Sequence, residues 1–162
     1  NICEIGKERI RRAGKKIKEE HPETKNVDIG FRVLKVDTTN MQDVYYNPTE
    51  YKQDMLSKLE DNIKTDRTPE DVLFQVMLAL GVILSSKIDE INIQGKKVFK
   101  VADGYLIACF DNDVTSEVIT EVAKKQPYYA VFRDSSLAND SVVTNFEQIF
   151  ETYSPTTVRK VL

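Results

Sequence analysis

One stretch of the sequence, residues 68–81, carries the signals for both ends of a helix and is apolar almost throughout. Thr68 is typical of an N-cap, and Asp71 stands where a capping-box acid reaches back to the first backbone N–H groups. Gly81 is the residue expected in the left-handed position just after the last turn. Only one residue beyond the first turn is polar. We therefore expect a helix that is buried on most sides at the centre of the core.

The composition is that of one soluble globular domain with an appendage. The 162 residues are 41% apolar and 30% charged, and no stretch has the pattern of a signal peptide or a membrane span. Cys3 and Cys109 offer neither a disulfide framework nor the spacing of a zinc site. We expect a cytoplasmic protein without a membrane partner.

Positive charge is concentrated at one end of the chain. Residues 1–20 hold seven lysines and arginines against four acids, a balance of +3, whereas the rest of the chain holds 16 cations and 22 acids, a balance of −6. A free-standing nucleic-acid binder is expected to carry a broad basic face. The sequence also begins at Asn1 inside a helical pattern, which favours a piece of a longer protein.

The first part of the chain combines helical and strand-like patterns. Residues 2–20 predict an amphipathic helix. The apolar stripe of this helix consists of Cys3, Gly6, Ile10, Ala13 and Ile17. The polar residues 21–26 form the best linker in the sequence. Residues 29–36 predict a strand, and a second capped helix is predicted to open at residues 47–50.

The second half of the chain predicts a sheet. Turn signals at Gln94–Gly95 and Asp103–Gly104 separate strand-like segments around 86–93, 96–102 and 105–110, the last of which should be central. From there onward strands and helices alternate as β-α-β-α-β, with helices long enough to join parallel strands. The predicted fold class is α/β, with a mixed sheet of an antiparallel hairpin and parallel βαβ units, preceded by an N-terminal amphipathic helix.

Motifs that carry catalysis on their own do not occur in the sequence. It contains no glycine-rich phosphate loop, no histidine pair, no Cys-x-x-Cys and no serine elbow. A nuclease built on this strand order would need carboxylates on its second and third strands to hold a divalent metal. The third strand, residues 105–110, is uncharged and disfavours that arrangement. We predict no catalytic, cofactor-binding or metal-binding residue.

Two groups of charged residues remain as candidate contacts for DNA or a partner protein. The contacts on the basic helix are Lys7, Arg11, Arg12 and Lys15. The second group, Arg133 and Asp134, follows a parallel strand at its C-terminal end, where open sheets place ligands. Two interpretations of this second group stay open: a polar site for a partner or phosphate, and a turn in which Arg133 pairs with a carboxylate.

Five segments of the chain carry a resemblance to known proteins. They are residues 2–17, 28–33, 66–71, 132–136 and 145–150 with Ser154-Pro155. The first resembles the helix that closes the catalytic domain in methylation subunits of type III restriction–modification systems. The others are similar to the C-terminal region of that family. The segments span essentially the whole chain, and the string through Arg11-Arg12-Ala13-Gly14 is fairly specific.

The resemblance implies which protein the chain is a part of, but it assigns no active site to the chain. Members of this family use S-adenosylmethionine to methylate the exocyclic amino group of adenine, and they carry an Asp-Pro-Pro-Tyr tetrapeptide and a Phe-x-Gly-x-Gly cofactor loop. Neither motif occurs here. The resemblance thus implies the C-terminal piece of such a subunit, with residues 1–22 belonging to the catalytic domain and residues 26–162 forming a C-terminal domain. S-adenosylmethionine is then a cofactor of the parent protein only.

We expect this domain to be non-catalytic and to serve subunit assembly. Its partners would be the rest of the methyltransferase chain, a second methylation subunit, the restriction subunit and, through the parent protein, DNA. The alternatives are a DNA-contacting module that acts through the basic helix and an independent small hydrolase that uses the region around Asp134. A role in assembly predicts an exposed apolar surface, and DNA contact predicts a salt-dependent association. A hydrolase predicts a cleft that contains carboxylates with shifted pKa values.

Overall fold

A computed structural model describes residues 1–42, 62–134, 137 and 140–162 of the chain. These residues form two compact units, Asn1–Asp37 and Thr38–Leu162. The helix predicted to open at residues 47–50 lies outside the described residues. The division expected between residues 22 and 26 concerns the parent protein and stays a prediction.

The first unit is built on the predicted N-terminal helix, α1, which spans Ile2–Glu20. The Asn1 side chain caps it by accepting the Glu4 N–H at 3.1 Å. A short 3-10 turn, Pro22–Thr24, follows where the polar break was expected. Local signals therefore define this helix at both ends.

The strand predicted over residues 29–36 is wrong. These residues join no ladder of the described sheet, and the chain instead runs back along α1. Ile29 lies against Gly14, where an added Cβ would come within 3.1 Å of the Ile29 Cβ, and the Arg11 guanidinium is 5.8 Å from the centre of the Phe31 ring. Alternating apolar residues provide the period of a strand, but a strand also requires a neighbour that pairs with its backbone.

Helix α2 spans Pro69–Ala79 and has the ends that its sequence predicts. The Thr68 hydroxyl accepts the Asp71 N–H at 3.2 Å, and the Asp71 carboxylate accepts the Thr68 N–H at 2.9 Å, so the capping box is complete. At the other end Gly81 has a φ of +69°, and the Val82 N–H donates to the Met77 carbonyl at 2.8 Å. This is the Schellman arrangement, for which glycine is the favoured residue.

The second unit contains the predicted mixed α/β sheet. Its strands are β1 (Ile88–Ile93), β2 (Lys96–Val101), β3 (Leu106–Cys109), β4 (Tyr129–Phe132) and β5 (Val158–Val161), which lie side by side in that order. The first three pair antiparallel, and β3, β4 and β5 pair parallel. Helices α3 (Ser116–Lys124) and α4 (Asp140–Tyr153) connect the parallel strands. The sequence-based fold class is confirmed.

Strand β3 is central, as predicted, and all four of its residues are buried. Successive side chains of a strand point to opposite faces. Ile107 and Cys109 therefore belong to a core shared with α3 and α4, whereas Leu106 and Ala108 belong to a second core shared with α2. The sheet of the second unit is thus covered by helices on both faces.

The expectation that α2 is buried on most sides is wrong. Leu73 and Met77 face the sheet and are 1% and 0% exposed, but Leu78 is 66% exposed. Helix α2 forms an outer layer over one face of the sheet, so only the side turned toward the strands is buried. Leu78, on the outer side of the helix, is therefore an exposed apolar side chain.

We expect Leu73→Ala to lower the free energy of unfolding by ~2–5 kcal/mol, because it opens a cavity between α2 and the sheet. The matched change Leu78→Ala, on the exposed side of the same helix, should cost less than ~0.5 kcal/mol. Urea denaturation of the two variants measures both effects. Equal losses would mean that the outer side of α2 is buried as well.

Candidate functional site

Four of the six predicted contact residues lie on α1, where acids on the same helix accompany them. The Lys7 Nζ atom is 2.7 Å from Glu4, the Arg12 Nε atom is 2.7 Å from Glu8, and the Lys15 Nζ atom is 3.8 Å from Glu19. Arg11 also approaches Glu8, at 3.8 Å.

These ion pairs are weak because they are exposed. The hydrogen bond from Lys7 lowers the pKa of the Glu4 carboxyl. Pairs at this spacing on a helix surface contribute little to stability, because water and salt screen their charges. The side chains of Arg11, Arg12 and Lys15 are mostly exposed. An anionic partner could therefore compete for them at little cost.

The apolar stripe of α1 is exposed as well. Ile10 is 50% exposed and Ile17 is 48% exposed, and none of the 19 residues of this helix is buried. Cys3, at the start of the stripe, is also exposed. A contiguous apolar strip on a surface is typical of an interaction site. The first unit thus presents a basic side and an apolar side on one helix.

Arg133 and Asp134 lie where the sequence predicts them, beyond the C-terminal end of β4. The Asp134 N–H donates to the Leu162 carbonyl at 3.0 Å, and the Leu162 N–H donates to the Phe132 carbonyl at 3.0 Å. The ends of β4 and β5 are therefore held side by side. Arg133 is half-buried and Asp134 is exposed. The neighbouring Ser135 and Ser136 lie outside the described residues.

The six predicted contact residues thus form two groups in different units. Those on α1 share a helix in the first unit, and Arg133 and Asp134 share a sheet edge in the second. The roles expected for both groups, as contacts for DNA or a partner, stay predictions.

Sequence reasoning missed an ion cluster around Lys97 at the start of β2. The Lys97 Nζ atom lies 2.5 Å from Glu70 and 3.2 Å from Glu90, and it is 4.9 Å from the centre of the Phe99 ring. The Lys97 N–H also donates to the Asp111 carboxylate at 2.6 Å. This cluster joins the first turn of α2 to the hairpin and to the loop after β3. Because Glu70 and Lys97 are far apart in the chain, no local pattern predicts their contact.

The Lys97 cluster shifts both partners toward their charged forms. The hydrogen bond from Lys97 lowers the pKa of Glu70, and the hydrogen bond to Glu70 raises the pKa of Lys97. Both side chains are more than one-third exposed, so solvent screens the pair. We assign it a stabilisation below about 1 kcal/mol.

A second feature that sequence reasoning missed is an aromatic cluster at the amino-terminal ends of the parallel strands. The Tyr105 and Tyr128 rings stack with centroids 5.0 Å apart and planes only 4° from parallel. Tyr129 meets both rings edge-on, at 5.6 and 4.8 Å. Tyr153 ends α4 at the same edge, where its carbonyl accepts a hydrogen bond from Gln126. We call Tyr105, Tyr128, Tyr129 and Tyr153 the tyrosine face.

The tyrosine face is open to solvent and contains every tyrosine in the part of the chain that the structure describes. Tyr105 is 44% exposed and Tyr128 is 51% exposed. Burial against the neighbouring rings raises the pKa of Tyr105. The Lys124 ammonium lies 5.8 Å from the centre of the Tyr153 ring, so one ring of this face already holds a cation.

Comparison with known proteins and a search of the described residues add further findings. No protein-family model matches it, and no curated protein matches it. None of the described helices has the length and apolar composition needed to cross a membrane. Within the described residues, no group of three histidine, cysteine or acidic side chains is arranged to hold a metal ion.

The Lys97 cluster predicts a pH dependence of stability. Because the folded state lowers the pKa of Glu70, its contribution is present above about pH 4.5 and is lost as the pH falls through the folded value. Wild type should exceed Glu70→Gln in unfolding free energy by ~0.2–1 kcal/mol at pH 7, and this difference should shrink toward zero at pH 3.

Urea denaturation at the two pH values measures this difference. Glu151→Gln, an exposed change on α4, is the control and should show a smaller difference from wild type at pH 7. A Glu70→Gln deficit that is the same at both pH values would mean that the carboxylate charge does not stabilise the fold.

Proposed function

We propose that this chain is the non-catalytic C-terminal part of an adenine-specific DNA methyltransferase subunit of a type III restriction–modification system. The support is the resemblance of residues 2–17, 28–33, 66–71, 132–136 and 145–150 to that family. On this proposal the parent protein is cytoplasmic and transfers methyl groups from S-adenosylmethionine to adenine. This chain contributes no residue to that chemistry.

We propose subunit assembly as the role of the chain itself, and the exposed apolar stripe of α1 carries this proposal. A 19-residue helix without a single buried residue leaves Ile10 and Ile17 half exposed. Removal of such side chains from water contributes roughly 25 cal/mol per Å² of apolar area. A partner that covers the stripe would therefore gain a substantial driving force.

The partners that fit this role are the rest of the methyltransferase chain, a second methylation subunit and the restriction subunit. DNA would be reached through the parent protein.

The runner-up is a DNA-contacting module, which the exposed Arg11, Arg12 and Lys15 side chains favour. These cations stand on a helix of net charge +3, while the rest of the chain carries −6. Electrostatic repulsion between this negatively charged remainder of the chain and the DNA phosphates opposes binding. We therefore expect non-specific affinity for duplex DNA no better than about 10⁻⁴ M at physiological salt.

One substitution separates assembly from DNA contact. Wild type should self-associate in sedimentation velocity, and Ile10→Asp should shift it toward the monomer, because a carboxylate in the apolar stripe cannot be buried without a partner. Lys15→Ala changes the net charge by the same amount but leaves the stripe intact, and it should associate like wild type. Circular dichroism checks that the helix persists in each variant.

A titration with duplex DNA at two salt concentrations completes this test. A monomer that binds DNA tightly, with a steep salt dependence lost on changing Arg11 and Arg12 to Ala, would replace assembly by the DNA-contacting alternative.

A further inference from the structure

We propose that the apolar stripe of α1 in one copy of the chain docks on the tyrosine face of a second copy. This inference rests on the proposed role in assembly and identifies the surface that receives α1. The proposed contact joins two exposed surfaces, one on the first unit of one copy and one on the second unit of the other copy.

The tyrosine face has the properties of a surface that receives a helix. Tyr105 and Tyr128 are 44% and 51% exposed, yet their contacts with each other and with Tyr129 hold the rings in place. Rings that are already ordered lose little conformational entropy when a partner covers them, and tyrosine is enriched among the residues that dominate interface energies. The face therefore offers exposed aromatic rings that are already held in place by one another.

The flanks of the apolar stripe offer the matching chemistry. Arg9 and Lys16 stand one position before Ile10 and Ile17, so each lies about 100° round the helix from that isoleucine. A cation over the face of a tyrosine ring is attracted by the ring electrons. Lys124 already occupies such a place near Tyr153. A docked α1 would bring apolar side chains to the rings and cations to their edges.

Charge favours this arrangement over a pair of α1 helices. Two α1 helices packed together would bring +3 against +3, whereas the part of the chain that holds the tyrosine face carries a net charge of −6. That net negative charge also disfavours a nucleic acid as the partner of this part of the chain. A second copy supplies a basic, apolar helix of the required kind.

The first test removes two aromatic rings from the tyrosine face. Tyr105→Ala with Tyr128→Ala should weaken self-association at least about tenfold in sedimentation equilibrium. The matched control, Tyr105→Phe with Tyr128→Phe, keeps both rings and should associate within a few-fold of wild type. Thermal unfolding verifies that the alanine variant remains folded, as expected for half-exposed side chains.

The second test mixes two defective chains. Ile10→Asp keeps an intact tyrosine face, and the double alanine variant keeps an intact α1. Each variant alone should self-associate at least about tenfold more weakly than wild type. Their mixture should form a heterodimer through one intact contact, which is weaker than the wild-type dimer. Raising the salt concentration should weaken the wild-type contact, because opposite charges are screened.

The outcomes separate this inference from the proposed function. If Ile10→Asp abolishes association while the double alanine variant associates like wild type, α1 docks on another surface. The tyrosine face is then excluded as the receiving surface, and the assembly role of α1 stands. If, in that case, a higher salt concentration also strengthens the self-association, two α1 helices pair with each other. If wild type never associates, or Ile10→Asp has no effect, both the inference and the assembly role through α1 are wrong.

Discussion

The complete burial of β3 is the constraint on which the second unit depends. A strand whose four residues are all apolar and buried needs a helical layer on each face of the sheet. Helix α2 precedes the sheet in the chain and covers one face, and α3 and α4 cover the other as they join the parallel strands. Burial also raises the pKa of the Cys109 thiol to about 11, so it behaves as an apolar side chain in this core.

The first unit has no comparable core, and the assembly role that we propose for it rests on that difference. Helix α1 is held by its Asn1 cap, by ion pairs along its own surface and by the returning segment around Ile29 and Phe31. Most helices in proteins owe their stability to the packing of an apolar face. The apolar stripe of α1 is exposed in a single copy of the chain, and the proposed assembly would provide that packing.

Features defined by neighbouring residues were predictable from the sequence. The ends of α2 follow from Thr68, Asp71 and Gly81, and the order of strands and helices after residue 105 predicts the parallel half of the sheet. Contacts between distant residues were not predictable: Glu70 meets Lys97 only because α2 packs across the hairpin. The tyrosine face lies between these cases, since Tyr105 and Tyr128 each precede a parallel strand and could have been placed at one edge. The error at residues 29–36 arose because an alternating pattern does not identify a partner strand.

Alkylation of the two cysteines, followed by mass spectrometry over a range of protein concentrations, tests the account most directly. Cys109 in β3 is buried, and Cys3 lies exposed in the apolar stripe. The account predicts that Cys109 stays unmodified throughout, while Cys3 reacts rapidly in dilute solution and more slowly as the chain self-associates. Rapid modification of Cys109 in the folded chain would contradict the closed core. A rate at Cys3 that is independent of concentration would contradict assembly through α1.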